Sequence, residues 1–372
     1  MGSGLAQYKS IVFRLAGQVD NENLNAILRE NEMDSWVMLS LEREPSFFAG
    51  EALMGESHTV IAFEQNDPMQ KIGMYSCSYF QLRINGRTEQ VGYLGGLRIL
   101  KKYRNRIRYV RNGYDSIRKI VPEADVIKHW FSSIASENSS ARKLLESGLK
   151  GLPRYAPIGE VNTIAISVAA AKSCAILERV TEQTVGEFVS FFNSQTGAYQ
   201  YAPVLNDDWI ISQDKQKGLS IDDFYLIRQN LEVVGCLAVW DQRAFKQTVV
   251  RGYRFPLNRF RKIHNAWSVV TKRISLPAPG NSLEHVYISF MAFSKGSEHL
   301  VVPAIREALA IIKQMSGTFA VTGLSEKNPL TPFLLKHFKT LVYRSCIEAV
   351  SWDSLNDKNE QESAVQPEIA LL

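Results

Sequence analysis

The chain of 372 residues holds only four cysteines, Cys77, Cys174, Cys236 and Cys346, and none lies within CxxC spacing of another. That excludes a disulfide framework and a cysteine-based zinc site, and it fits reduced thiols in a reducing compartment. No apolar run approaches the roughly 20 residues of a membrane span. The opening residues, MGSGLAQYKS, lack the apolar segment of a secretory leader. Ala6 stands where an N-terminal lipidation signal wants Ser or Thr. The six histidines form no HExxH or related pattern, so metal-assisted hydrolysis has no motif and no metal site is expected. These absences point to a cytoplasmic protein.

What is present is ordinary in bulk and unusual in one place. Hydrophobic residues make up 45% and charged residues 22%, the balance of a globular protein. With 18 Phe, 14 Tyr and 6 Trp there is bulk for two cores, and the length favours two domains. A net charge of +5 is too small for a dedicated nucleic-acid binder. The charge is concentrated, however. Arg98, Lys101, Lys102, Arg104, Arg106, Arg108 and Arg111 fall within fourteen positions that contain no acid.

The order of elements follows from periodicity and turn chemistry. SIVFRLAGQVD (10–20) reads as a strand, and NENLNAILREN (21–31) as a helix with Leu24, Ile27 and Leu28 on one face. Residues 58–100 read as three strands, with a turn at Asn66 to Pro68 and a strong hairpin signal at Asn85-Gly86. Ile107, Val110, Tyr114, Ile117 and Val121 step at helical intervals. This spacing expects Ile107 buried and Tyr109, off the stripe, more exposed. KHWFSSIAS (128–136) is a strand, ENSSARKLLESG (137–148) a helix closed by Gly148, and GEVNTIAISVAA (159–170) a strand. The second half gives nearly the same order. It has a strand at 174–181, a helix at 185–195, a hairpin at 224–242, a strand at 284–293, a helix at 299–315, a strand at 318–324, a helix at 331–339 and a strand at 341–352. The expected fold is α/β (α+β), as two tandem domains, 1–168 and 174–352, each a mixed, mostly antiparallel sheet flanked by helices. The polar residues 353–372 read as a flexible tail.

This order, with LGGLRILKKYRNR at its centre, resembles the GNAT superfamily of acyl-CoA-dependent N-acyltransferases. GLRILKKYRNRIRYV matches the family's fourth strand, its Tyr-Arg (Tyr103, Arg104) and the start of its phosphate-binding helix. SIASENSSARKLLESGL places Asn138, Ala141, Leu144 and Gly148 on the family's later strand-and-helix segment, and the second half has a thinner version with Asn328. The family's phosphate-loop glycines are replaced by Ile107 and Tyr109, and Leu145 stands where a leaving-group tyrosine is common. The resemblance implies acetyl-CoA or another acyl-CoA as co-substrate and an amine as acceptor. It puts the CoA site on the first domain, at Leu97, Arg98, Ile99, Arg104, Asn105, Arg106, Ile107, Arg108, Tyr109 and Asn138. In the second half, Lys295 is the lone cation at the matching place.

Each of these residues also has a plain reading. The basic run is either a solvated face or a phosphate site. Gly95 and Gly96 mark a bulge or close packing, and a bulge splays the strand so that a backbone N–H near Leu97 or Ile99 polarises a thioester carbonyl. Asn138 caps its helix or touches the cofactor. Tyr155 and Tyr114 are packing aromatics; Tyr155 is also the candidate acid in place of Leu145, and Glu89 is the candidate base. Three functions follow: an acyltransferase working by direct attack in a ternary complex, a GNAT-like pair that binds without catalysis, and an RNA binder using the basic helix.

Overall fold

The computed structural model describes residues 5–33, 36–53, 55–104, 106–213, 218–271, 275–352 and 364–372. The first half runs β1 (Leu5–Tyr8), β2 (Ile11–Leu15), α1 (Asn21–Glu30), β3 (Val37–Glu42), β4 (Glu56–Glu64), β5 (Asp67–Ile84), β6 (Arg87–Ile99), α2 (Ile107–Ile120), β7 (His129–Ala135), α3 (Ser139–Leu145) and β8 (Arg154–Ser167). The second runs β9 (Glu178–Arg179), α4 (Val185–Gln195), α5 (Asp207–Ile211), β10 (Phe224–Gln229), β11 (Glu232–Trp240), β12 (Gln247–Tyr253), α6 (Leu257–Thr271), β13 (His285–Phe293), α7 (Glu298–Gln314), β14 (Phe319–Ser325), α8 (Leu330–His337) and β15 (Thr340–Ser351). The strand expected over 174–181 shrinks to the two residues of β9. The β3 and β12 strands and α6 were not expected. No helix among the described residues is long and apolar enough to cross a membrane.

Thirteen strands form one sheet in the order β1-β2-β4-β5-β6-β7-β15-β8-β14-β13-β11-β10-β9, and β3 pairs with β12 in a separate ribbon. The long β5–β6 hairpin turns at Asn85 and Gly86, both at positive φ (50° and 77°), as a two-residue loop between twisted strands requires. Every neighbouring pair in the large sheet is antiparallel except two, β6–β7 and β13–β14. These are the corresponding places in the two halves. The sheet is therefore two similar units side by side.

The units exchange strands where they meet. β15, from the end of the second half, lies between β7 and β8. β8 is bonded on its other edge to β14. The sequence seam after residue 168 is thus not a seam in space. One hydrophobic core belongs to both halves, joining Phe80, Val91, Tyr93 and Phe131 to Phe188, Tyr201, Phe224 and Phe290. A second core lies against α1 and α2, and a third under α7.

The tail expected over 353–372 is corrected in part. Residues 353–363 lie outside those described. Residues 364–372 are packed, with Val365, Ala370 and Leu371 buried. The residues that end the chain, AVQPEIALL, are mostly apolar, so burying them returns more than their ordering costs.

Candidate active site

The parallel pairing of β6 with β7 spans only three residue pairs: Val91 with His129, Gly92 with Trp130, and Tyr93 with Phe131. β6 then continues to Ile99 and β7 to Ala135 without further pairing, so the strands part as a V. Gly92 lets them start close together, because a Cβ there would come 2.3 Å from the Trp130 ring. Just past the fork, β6 bulges. Ser76 pairs with Gly95 and Met74 with Arg98, so Gly96 and Leu97 together face Tyr75 alone. Gly96 has φ +63°, which the bulge needs and glycine supplies cheaply. Leu97 is 41% exposed in the opening.

The second unit repeats this arrangement residue for residue. β13 and β14 pair over His285, Val286 and Tyr287, then part. β13 bulges opposite Leu237, with Ser289 and Ala292 as the flanking pairs, so Phe290 and Met291 match Gly96 and Leu97. Phe290 has φ +50°. Here, however, the V is filled by residues 364–372. Gln366 bonds the Gly323 carbonyl (3.0 Å) and the Ser325 N–H (2.9 Å) on β14. Glu368 Oε2 accepts the Phe290 N–H at 2.8 Å, and its Oε1 accepts from Ala370 N–H at 3.1 Å. Further along, Gln242 donates to the Ala370 carbonyl and Lys246 Nζ to the Leu372 main-chain oxygen, at 2.8 and 2.7 Å. The second V is closed by the chain itself.

Burial lifts the Glu368 carboxyl to about 7, against the backbone donors and Lys246, which favour the charged form. The folded value lies above the ordinary 4.5, so the protonated form is the one the fold prefers. Its contribution to stability is full below 4.5 and is lost as pH rises through about 7. At ~1.4 kcal/mol per pH unit this interval amounts to about 3 kcal/mol. Glu368→Gln removes the titration. Urea melts from pH 4 to 8 should show wild type losing about 3 kcal/mol relative to the variant. Parallel curves would contradict the assignment.

The basic segment leads from the first V into α2. Arg106 is the N-cap residue, without a side-chain cap, and no acid lies in the first turn. The leading N–H groups of a helix lack intrahelical partners and carry partial positive charge, so they favour an anion. Arg106 and Arg108 are exposed there, as are Lys101 and Lys102. Arg104 is committed elsewhere, donating to the Ile99 carbonyl (3.0 Å) and to Asn31 Oδ1 (2.7 Å). Asn105 lies outside the described residues. Arg98 donates to the Leu97 carbonyl at 2.9 Å, and burial pushes its guanidinium pKa down.

Tyr109 corrects an expectation. It is buried, at 5% exposure, with its ring edge-on to Tyr103 at 5.3 Å. Its hydroxyl accepts from Arg106 (3.0 Å) and Arg108 (3.3 Å). Burial alone would raise its pKa; the two guanidinium donors outweigh that and hold it below the usual phenol value. Ile107, expected buried, is only half-buried.

Two other residues are placed away from the bulge. Glu89 lies seven residues before Gly96 on the same strand, roughly 23 Å at 3.3 Å per residue. Tyr155 pairs with Val350, Val350 with Trp130, and Trp130 with Gly92, so it stands three strands away, about 14 Å. Its hydroxyl is taken up by Tyr114 at 2.6 Å in the core. Asn138 Oδ1 accepts the Ala141 N–H at 3.2 Å and so caps α3.

No protein-family model matches the chain. No curated protein matches it either. Solved structures do. Saccharomyces cerevisiae N-myristoyltransferase with bound myristoyl-CoA superposes with TM-score 0.60 at 11% identity, over 95% of this chain and 86% of that one. The same enzyme with bound myristoyl-CoA and inhibitors gives TM-score 0.62 at 9% identity, over 97% and 87%. A GCN5-related glucosamine N-acetyltransferase region of a fungal multi-domain GH3 β-N-acetylglucosaminidase gives TM-score 0.59 at 10% identity, over 92% of this chain and 38% of that one. The chain has the tandem GNAT-like fold.

Proposed function

We propose that the protein is an N-acyltransferase that takes an acyl group from a CoA thioester bound in the first V. One observation carries this reading. In the second unit the bulge N–H of Phe290 holds a carboxyl oxygen at 2.8 Å. The matching donor in the first unit is Gly96 N–H, at a bulge where Gly96 and Leu97 are exposed and no segment among the described residues takes the place that 364–372 take in the second V. A thioester carbonyl placed there gains a hydrogen bond that strengthens as negative charge develops on its oxygen. The amine attacks the carbonyl carbon while both are held in line, so positioning supplies much of the acceleration. The α2 N-terminus with Arg106 and Arg108 takes the diphosphate of CoA. Tyr109, buried, accepts hydrogen bonds from both arginines and so holds them at this helix end. The fold supports the same reading, because two of the similar structures hold myristoyl-CoA. The donor is acetyl-CoA or a longer acyl-CoA. The acceptor is an amine.

Calorimetric titration with acetyl-CoA and myristoyl-CoA tests the binding, and release of free CoA with glucosamine and with peptides bearing a free N-terminal amine tests the transfer. Replacing Arg106 and Arg108 together by Ala should weaken CoA binding at least about tenfold, since charge-assisted hydrogen bonds are worth about 1.5–3 kcal/mol each. The loss should shrink as salt rises. Lys295→Ala, in the second unit, should change affinity little. A wild-type protein that binds neither thioester contradicts the proposal.

A further inference from the structure

Two hydroxyls on neighbouring strands stand side by side at the level of the bulge. Thr59 on β4 pairs with Ser76 on β5, and Ser76 pairs with Gly95 on β6. The two hydroxyls are hydrogen-bonded at 2.6 Å, both in buried side chains. Thr59 Oγ1 also donates to Glu51 Oε1. A threonine hydroxyl has one proton, so in the Ser76–Thr59 bond the donor is Ser76. Ser76 Oγ is left as an acceptor toward Gly96. A Cβ built on Gly96 would lie 3.2 Å from that oxygen.

Glu51, beyond Thr59, has a polar setting of its own. Burial raises its carboxyl above the ordinary range, against Thr59, the Arg43 guanidinium at the end of β3, and His58 on β4, which favour the charged form. It lines a pocket of about 290 Å³ with Gly17, Phe48, Ser57, His58 and Thr59. His58 in turn contacts Glu56 at 3.1 Å.

We propose that Ser76, Thr59 and Glu51 form a proton relay that carries the acceptor amine's proton away from the bulge. The proposal rests on the acyltransferase reading and gives it the base that Glu89 cannot supply. The amine lone pair forms the C–N bond as the C–S bond breaks, and the thiolate leaves with that electron pair. The nitrogen loses one proton to Ser76 Oγ, Ser76 passes its own to Thr59, and Thr59 passes its own to Glu51. Glu51 then releases a proton to water in the pocket, and water protonates the thiolate. Ser76 touches the reacting amine. Thr59 and Glu51 act through it.

Thr59→Val is nearly isosteric and breaks the chain at its middle; Thr59→Ser keeps the hydroxyl. With the two thioesters and the amines above, Thr59→Val and Glu51→Gln should lower kcat about 100-fold, the lower range for general acid–base catalysis. KM for the thioester should stay within a small factor, and Thr59→Ser should recover most of the rate. In wild type, kcat should rise with pH through a limb above the ordinary carboxylate range, and Glu51→Gln should lack that limb. Calorimetric binding of the thioester verifies that each variant is folded, and Ser76→Ala offers a second break if Thr59→Val is unstable. A Thr59→Val rate within threefold of wild type, or a limb that survives in Glu51→Gln, overturns the relay alone. A wild type that binds thioester and acylates no amine overturns the acyltransferase reading and the relay with it.

Discussion

Gly96→Phe is expected to lower acyl transfer at least about 100-fold while leaving the protein folded and able to bind CoA. The second unit shows what the substitution does. Its matching residue is Phe290, at φ +50°, close to the +63° of Gly96, so an aromatic side chain survives this backbone conformation. The Phe290 ring is fully buried among Phe192, Phe224 and Trp240, filling the space on that face of the bulge. In the first unit a Cβ on Gly96 would come 3.2 Å from Ser76 Oγ, a tight contact that the serine must relieve by a small shift, and beyond it Gly96 is exposed. On the proposed acyltransferase reading, this exposed face is the acceptor's approach to a thioester held at the bulge. A ring there leaves the N–H donor in place and shuts out the amine. Misplacing a reactant by about 1 Å already costs about 100-fold, or ~2.7 kcal/mol of barrier. The measurements are kcat for CoA release and a parallel calorimetric affinity for acetyl-CoA. A rate within tenfold of wild type would place the acceptor route elsewhere.

Most of what local chemistry controls was legible in the sequence. Asn85-Gly86 forced a two-residue hairpin because both positions need positive φ. Gly95-Gly96 marked the bulge, and the 3.6-residue stripe Val110, Tyr114 and Ile117 found the buried face of α2. Tyr109 failed because it lies in the first turn, where the chain has just left the loop. Its surroundings are set by Tyr103 across that loop, which helical periodicity does not encode. The order of strands was also hidden. β15 chooses β7 and β8 as partners across roughly 170 to 220 residues, and no local pattern specifies that choice. The hydroxyl pair was invisible for a related reason. Thr59 and Ser76 are ordinary strand residues until the β4–β5 register sets them side by side. Glu89, the candidate base, and Tyr155, the candidate acid, lie near the site along the chain, but sheet geometry carries both away from the bulge. The polar first part of the tail suggests disorder, whereas the apolar AVQPEIALL at its end carries the opposite signal.

Phe131→Ala should remove about 3–5 kcal/mol of stability, the cost of truncating a fully buried Phe. Phe131 is 0% exposed and sits at the fork, paired with Tyr93 on one side and Ala349 of β15 on the other. Its ring meets Tyr93 at 5.0 Å and Tyr201, from the second half of the chain, at 5.1 Å. Aromatic contacts of this kind add about 0.5–1.5 kcal/mol beyond buried area, so the upper part of the range is expected. The same ring joins the two halves through their common core, and the exchanged strands β8 and β15 bind them again. Unfolding one half would therefore expose apolar surface and strand edges of the other, so the two halves should melt together. Urea denaturation followed at Trp130 in the first half and at Trp240 in the second should give coincident transitions in wild type. In Phe131→Ala both should shift to lower urea together. A loss below 1.5 kcal/mol, or two separated transitions in wild type, would mean that the halves are held by less than this common core.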